Sequence, residues 1–371
     1  MTKARSGDAT LALSLTDRFR KSSSWAFFLV VVIPVFLLFF ATSSRWLPYH
    51  IDPFSNTVPA WNMATEGSVY LDDFADVSGP EYWSVGWFVA VDDTAVSMYP
   101  PGAALRAFPF YLLGPSEAEV IVGQAPQNPD LGTIPITLPP MSTAAFAASL
   151  ATSLAIGFLG LTFRRMVTAE VALVGAYLAA FGTSAWSVAS DQLWQHGPAM
   201  MWLALAGLLA GATRLWSSGL SYGHAALTRP PTAVMAAATG LALGLRNRSW
   251  RPVLKVGLGS LLGIAAVVAY NTLVFGEPSI SGGYGDGFSD RALSSSPFWW
   301  AGNVLRALFD PRRGLFVWSP FLLVLLPGIR QAWRVAPAWV RGSAIGGILY
   351  LALQYKVNRY SGGNGFYGYR Y

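Results

Sequence analysis

Long apolar runs separated by short polar turns dominate the chain. The first, Trp25–Ser43 (WAFFLVVVIPVFLLFFATS), has no charged residue, and at about 1.5 Å per residue it is long enough to cross a hydrocarbon core of about 30 Å. Further spans are predicted at about 141–162, 169–189, 197–215, 217–228, 231–245, 253–275, 314–329 and 337–354. The segments 217–228 and 231–245 are short and separated by TRPP. They predict paired half-length helices whose turn at Arg229–Pro231 must be buried in protein or face water. The pattern therefore predicts an all-α, polytopic helical membrane protein of about nine transmembrane segments. It divides into an N-terminus at 1–24, a first span at 25–43, an outer loop at 44–140, a bundle at 141–355 and an outer glycine- and aromatic-rich segment at 356–371. No repeat of fixed period is present.

Charge orients the bundle. Of 25 basic residues, 15 fall at the N-terminus or in the short turns on its side of the bundle, among them Arg164, Arg165, Arg214, Arg246, Arg248, Arg251, Arg330, Arg334 and Arg341. This is the positive-inside pattern with a cytoplasmic N-terminus. Only Asp8, Asp17 and Glu170 of 19 acids share that side. The leading basic stretch, the long first run and the lack of a small-residue cleavage site predict a signal anchor. A soluble domain carries roughly 25% charged residues; here 12% are charged and 53% hydrophobic, with mean hydropathy +0.41. The net charge of +6 suits nucleic acid in isolation, but its distribution assigns it to membrane orientation instead. With no cysteine there is neither a disulfide framework nor a thiolate metal site. Walker A, GxGxxG and HExxH patterns are missing, and His50, His196 and His224 are too scattered for a metal site.

The outer segment 45–140 carries 11 acids against two arginines, Arg45 and Arg106. Its YPPGAALRAFPFYLLG stretch is too broken by proline to span and predicts an interfacial helix. Its aromatics, Trp61, Tyr70, Tyr82, Trp83 and Trp87, argue that the segment folds. Asp52 follows the first span within IDPFSNT. Pro53 and Pro59 restrict the backbone there, and Asn56 and Asn62 supply donors able to orient a carboxylate. Asp72 and Asp73 lie one excursion later. An ordinary solvated acidic loop accounts equally well for any one of these acids.

Three other outer features carry chemistry. SDQLWQHGP (190–198) reads as a turn with Ser190 or Asp191 as cap, Gly197–Pro198 starting the next helix and Trp194 as an interfacial anchor; Gln195 and His196 are candidate sugar-hydroxyl partners. FDPRRGLFVWSP (309–320) places Arg312 and Arg313 on the outer side, where a guanidinium fork suits phosphate; Asp310 is a structural partner for either, and lipid headgroup contact is another reading. NRYSGGNGFYGYRY (358–371) offers glycines for close backbone approach and aromatics for stacking. The chain stops at Tyr371 inside an expected outer segment, the pattern of a fragment or shortened form.

Taken in order, HIDPFSN, GSVYLDDF, YPPG, LWQHGP, LTRPPT, FDPRRGLFVWSP and GGNGFYGYR resemble the GT-C superfamily of polytopic glycosyltransferases, which includes protein mannosyltransferases and the lipid A aminoarabinose transferase. The likeness runs over nearly the whole chain, through the order of the motifs more than through any one of them. It implies Asp52 as catalytic base, Asp72 or Asp73 as a second loop acid, and Arg229, Arg312, Arg313 and Arg370 as donor-phosphate contacts. Asn56, Gln195 and His196 would meet sugar or acceptor. The departures are Pro53 directly after Asp52, where the mannosyltransferases show an Asp-Glu pair, and the lack of a C-terminal soluble domain.

An outward-facing transferase has no access to nucleotide sugars, so its expected donor is a polyprenyl-phosphate sugar and its acceptor an envelope glycan, lipid or protein. The expected partners are thus membrane lipids, donor and acceptor, without nucleic acid, in a bacterial-type inner membrane. No cofactor is required by the sequence and no metal site is assigned, although a divalent cation is compatible with the phosphate chemistry. A transporter or flippase is the rival reading, since discontinuous helices suit substrate passage; a non-catalytic scaffold is a third, and gives no account of the outward arginines.

Overall fold

Hydrocarbon offers backbone amides no partners, so apolar runs of this length satisfy them internally as helices. The computed structural model describes residues 23–46, 51–71, 88–92, 94–124, 133–285 and 287–360, and these are mostly helical. Three of the helices are long and apolar enough to cross a membrane: α1 (Ser24–Thr42), α4 (Met141–Arg164) and α9 (Arg251–Phe275). Each begins and ends for local reasons. Ser23 caps α1, its Oγ accepting from the Ala26 amide at 3.0 Å. Gly276, at φ +74°, ends α9 in the left-handed conformation that glycine adopts without strain.

The outer segment contains α2 (Ile51–Thr65), β1 (Phe88–Val91), β2 (Thr94–Ser97), α3 (Gly102–Leu113), β3 (Glu119–Gln124) and β4 (Thr133–Leu138). β1 pairs antiparallel with β2 and β3 with β4. These two hairpins amend the all-α expectation. The YPPG stretch does form the predicted short helix, α3. Downstream come α5 (Ala169–Phe181), a π-helical turn at Ala185–Ala189, α6 (His196–Gly211), α7 (Leu215–Thr228) and α8 (Ala233–Asn247). The paired half-length helices are α7 and α8, joined by a 3-10 turn at Pro230–Thr232.

Beyond α9 lie α10 (Gly287–Ser294), α11 (Pro297–Phe309), α12 (Leu315–Trp318), α13 (Phe321–Leu325), α14 (Ile329–Val335) and α15 (Ala338–Val357). The span expected at 314–329 is not continuous. Pro320 and Pro327 cannot donate helical hydrogen bonds, and the stretch breaks into α12, α13 and a 3-10 turn at Leu326–Gly328.

Glycine spacing holds the bundle together. Gly219 and Gly223 of α7 face Gly259 and Gly263 of α9, two reciprocal small-x-x-x-small pairs. A Cβ on Gly259 would lie 2.9 Å from the Gly219 Cα, and one on Gly263 would collide with the Gly223 backbone. Gly342 and Gly346 of α15 approach Thr239 and Met235 of α8 in the same way. Between helices in lipid, such close backbone approach supplies the dispersion contact that a hydrophobic driving force supplies in water. Gly263→Ala is expected to part α7 from α9 and cost about 1–3 kcal/mol, read as a lowered Tm in detergent. Gly257→Ala, whose Cβ meets nothing within 4 Å, should leave Tm unchanged.

The outer elements sit on one end of this bundle. Tyr111 Oη donates to the Pro140 carbonyl at 2.9 Å and Thr143 Oγ1 to the Pro115 carbonyl at 3.1 Å, tying α3 to the start of α4. Tyr70 Oη reaches the Leu273 carbonyl near the end of α9 at 3.3 Å.

Candidate functional site

Asp52 lies in the first turn of α2 and is 3% exposed. The expectation of a surface acid in a proline-interrupted loop is thus corrected: the segment is helical and the carboxylate is buried. Both prolines fit a helix for physical reasons. Pro53 occupies the first turn, where an amide would have no intrahelical partner. Pro59 takes the helical donor away from the Ser55 carbonyl, and Ser97 Oγ supplies one instead at 2.8 Å. A first-turn acid also suits the positive end of the helix dipole.

The neighbouring asparagines are structural. Asn56 Nδ2 donates to the Asp52 backbone carbonyl at 2.8 Å, and Asn62 Nδ2 donates to the carbonyls of Ser68 and Tyr70 at 2.9 and 2.8 Å. Both side-chain amides expected to orient a carboxylate thus donate to backbone carbonyls. Ser55 and Asn56 nonetheless line a narrow cleft together with Pro59, Ser97, Tyr99 and Tyr270, so the turn after Asp52 opens onto a recess between α2, β2 and α9.

The 190–198 turn anchors the site instead of merely capping a helix. Asp191 accepts from the Ser44 amide at 2.7 Å and the Ser44 hydroxyl at 3.1 Å, and Gln192 Nε2 donates to the Ser44 carbonyl at 3.2 Å. These contacts clamp the chain as it leaves α1, upstream of Asp52. Trp194 is 1% exposed, a buried packing residue and not the interfacial anchor expected. α6 does begin at His196, with Pro198 in its first turn.

His196 and Arg229, far apart along the chain, meet. Arg229 Nη1 donates to His196 Nδ1 at 2.6 Å. Guanidinium has no acceptor, so Nδ1 accepts and the ring proton sits on Nε2. Arg229 also stacks over Tyr350 at 5.6 Å, and Trp194 packs 6.0 Å from the His196 ring. Gln195 Nε2, beside them in sequence, is enclosed and meets no acceptor among the described residues.

α3 connects the two halves. It packs along α2 and also touches α6 and α7. Gly102 of the YPPG motif comes so close to Thr228 that a Cβ there would lie 2.6 Å from the Thr228 Cα. The YPPG and LTRPP motifs are therefore direct neighbours, and α3 bridges from Asp52's helix to the Arg229–His196 pair.

Arg312 and Arg313 belong to a separate cluster in the α11–α12 turn. Asp310 Oδ1 accepts from their backbone amides at 2.9 and 3.2 Å, and its Oδ2 accepts from Tyr360 Oη at 3.2 Å. Asp310 thus shapes the turn through main-chain contacts. Burial pulls the Arg313 guanidinium below its ordinary pKa, with Tyr360 and Asp310 opposing. Arg306 lies over the Tyr360 ring at 5.6 Å. Asp72, Asp73 and Arg370 fall outside the described residues, and no His/Asp/Glu metal cluster occurs among those described.

A larger cleft of about 690 Å³ lies between α8, α14 and α15, at the arginine-rich end away from these motifs. Its lining includes Arg246, Trp333, Arg334 and Arg341 but no acid or nucleophile. Comparisons with protein-family models, curated proteins and solved structures gave no match, so function rests on the residues and their geometry alone.

Proposed function

We propose that the chain is a membrane glycosyltransferase of GT-C type, moving a sugar from a polyprenyl-phosphate donor to an envelope acceptor, with Asp52 as base. The observation that carries this reading is the burial of Asp52 on a helix that α3 joins to Arg229 and His196. Taking a carboxylate out of water costs several kcal/mol, and strongly desolvated charges collect at functional sites. Asp52 takes the acceptor hydroxyl proton as that oxygen attacks the anomeric carbon. The bond from that carbon to the phosphate oxygen breaks, its electron pair leaves with the phosphate, and configuration inverts. Arg229, paired with His196, stabilises charge gathering on the leaving phosphate. Asp72 or Asp73 as second acid, and Arg312, Arg313 and Arg370 as further phosphate contacts, belong to the same proposal, as do a cytoplasmic N-terminus and an inner-membrane location. Asn56, committed to backbone, contributes to the cleft wall and not to proton transfer.

One observation favours transport: Arg229 sits at a helix break between α7 and α8, where carriers hold charged substrates. Incubation in lipid nanodiscs with labelled polyprenyl-phosphate sugars and a crude envelope-lipid acceptor separates the readings. Label reaching the acceptor supports transfer. Folded protein that neither retains nor transfers any donor of the panel removes the transferase reading.

A further inference from the structure

The cleft of about 690 Å³ between α8, α14 and α15 is used by none of the roles above. It exists because the 314–329 span breaks. α14 follows the 3-10 turn at Leu326–Gly328, and every residue from 323 to 335 is exposed. α15 instead packs closely on α8, where a Cβ on Gly342 would lie 2.8 Å from the Thr239 Cα. The gap opens between that tight pair and α14, at the end of the bundle away from Asp52. A Cβ on Gly211, the last residue of α6, would meet both Trp339 in the first turn of α15 and Arg165 just past the end of α4. The elements around Asp52 are tied to the start of α4. That helix has 24 residues, or about 36 Å of rise, so the donor phosphate of the transferase reading is not the occupant of this cleft.

The lining describes another one. Arg246 in the last turn of α8, Arg334 in α14 and Arg341 in the first turn of α15 all contribute to it, with no acid among them. Arg246 and Arg334 are exposed and free to turn, whereas Arg341 is held: its Nε donates to the Ala336 carbonyl and its Nη2 to the Arg334 carbonyl, both at 3.0 Å. Three like charges on one cleft repel each other and favour an anion between them. One turn inward along α8 and α15, about 5.4 Å, the wall becomes apolar, with Ala242 and Ile345. Trp333, 44% exposed on α14, adds an amphipathic ring of the kind that sits at headgroup depth. A cationic rim above an apolar wall suits a headgroup with its acyl chains better than a free anion.

We propose that this cleft binds an anionic diacyl phospholipid of the surrounding leaflet, with its phosphate among Arg246, Arg334 and Arg341 and its acyl chains along Ala242 and Ile345. The lipid fills the gap that the broken span leaves beside α8. Guanidinium forks bond phosphate oxygens two at a time, and basic pockets between membrane helices hold such headgroups. The site is independent of Asp52 and stands whether or not the chain transfers sugar.

Native mass spectrometry of the full chain in detergent tests it with three probes: phosphatidylglycerol, phosphatidylcholine with the same acyl chains, and glycerol 3-phosphate. Phosphatidylglycerol is expected to be retained about tenfold better than either of the others, a factor corresponding to about 1.4 kcal/mol. Equal retention of the two lipids overturns the proposal. Glycerol 3-phosphate retained as well as phosphatidylglycerol also overturns it and makes the cleft a site for free phosphate. Arg246→Gln with Arg334→Gln should abolish most of the preference. Arg214→Gln with Arg251→Gln removes two exposed charges outside the cleft lining and should leave the preference intact. An unchanged preference in the first double variant, or an equal loss in both, overturns the site, because general attraction to the basic end then accounts for the binding. Should the first double variant fail to fold, each of its single variants is compared with the second in the same way.

Discussion

Asp52→Asn is expected to lower sugar transfer by at least about 10²-fold while leaving donor retention and Tm close to wild type. Removing a general base typically costs 10²- to 10⁴-fold. Asparagine keeps the size of the side chain and one acceptor oxygen but cannot take a proton at neutral pH. The fold should tolerate it, because replacing a buried charge by a neutral isostere relieves desolvation as it weakens contacts. The two readouts separate chemistry from structure. If Asp52 serves only as a first-turn acid of α2, the variant will shift Tm and leave transfer per folded molecule unchanged. Single-turnover transfer and thermal unfolding on the same preparation decide this.

Arg229→Ala is expected to have the largest combined effect. It removes the donor to His196 Nδ1 and the cation over Tyr350, so Tm should fall. Charged hydrogen bonds are worth about 1.5–3 kcal/mol, and donor retention should weaken by about 10- to 100-fold on that basis. Arg229→Lys keeps the charge and loses the fork, so it should recover Tm further than it recovers donor retention. A purely structural arginine would lose Tm in both variants with no selective change in donor retention.

The positions of the long apolar helices were legible in the residue pattern, and the reasons are local. Apolar runs dictate helices wherever amides lack water, so α1, α4, α9 and the α7–α8 pair follow from hydropathy and the RPP break. The place of Asp52 just after the first span is plain in the residue pattern, but its helix is not. Prolines at 53 and 59 read as breaks until Ser97, 38 residues beyond Pro59, is known to repair the Ser55 carbonyl. Trp194 was misplaced for a similar reason: a tryptophan at a turn is interfacial or buried depending on what packs over it, which one segment cannot reveal.

The His196–Arg229 contact joins residues 33 apart, and only the fold states that they touch. Other signals lay in plain view. Gly219/Gly223, Gly259/Gly263 and Gly342/Gly346 repeat the same four-residue spacing within apolar runs, which marks close helix crossings.

The central claim is that an outward site transfers sugar from a lipid-linked donor by way of Asp52. Proteoliposomes carrying labelled polyprenyl-phosphate sugar, with acceptor lipid in the same bilayer, test it most directly in a single turnover. Wild type should place label on the acceptor with inverted anomeric configuration, and Asp52→Asn should leave the label on the donor. Donor moved intact across the bilayer, equally by wild type and Asp52→Asn and with no labelled acceptor, would contradict the account and make the chain a carrier.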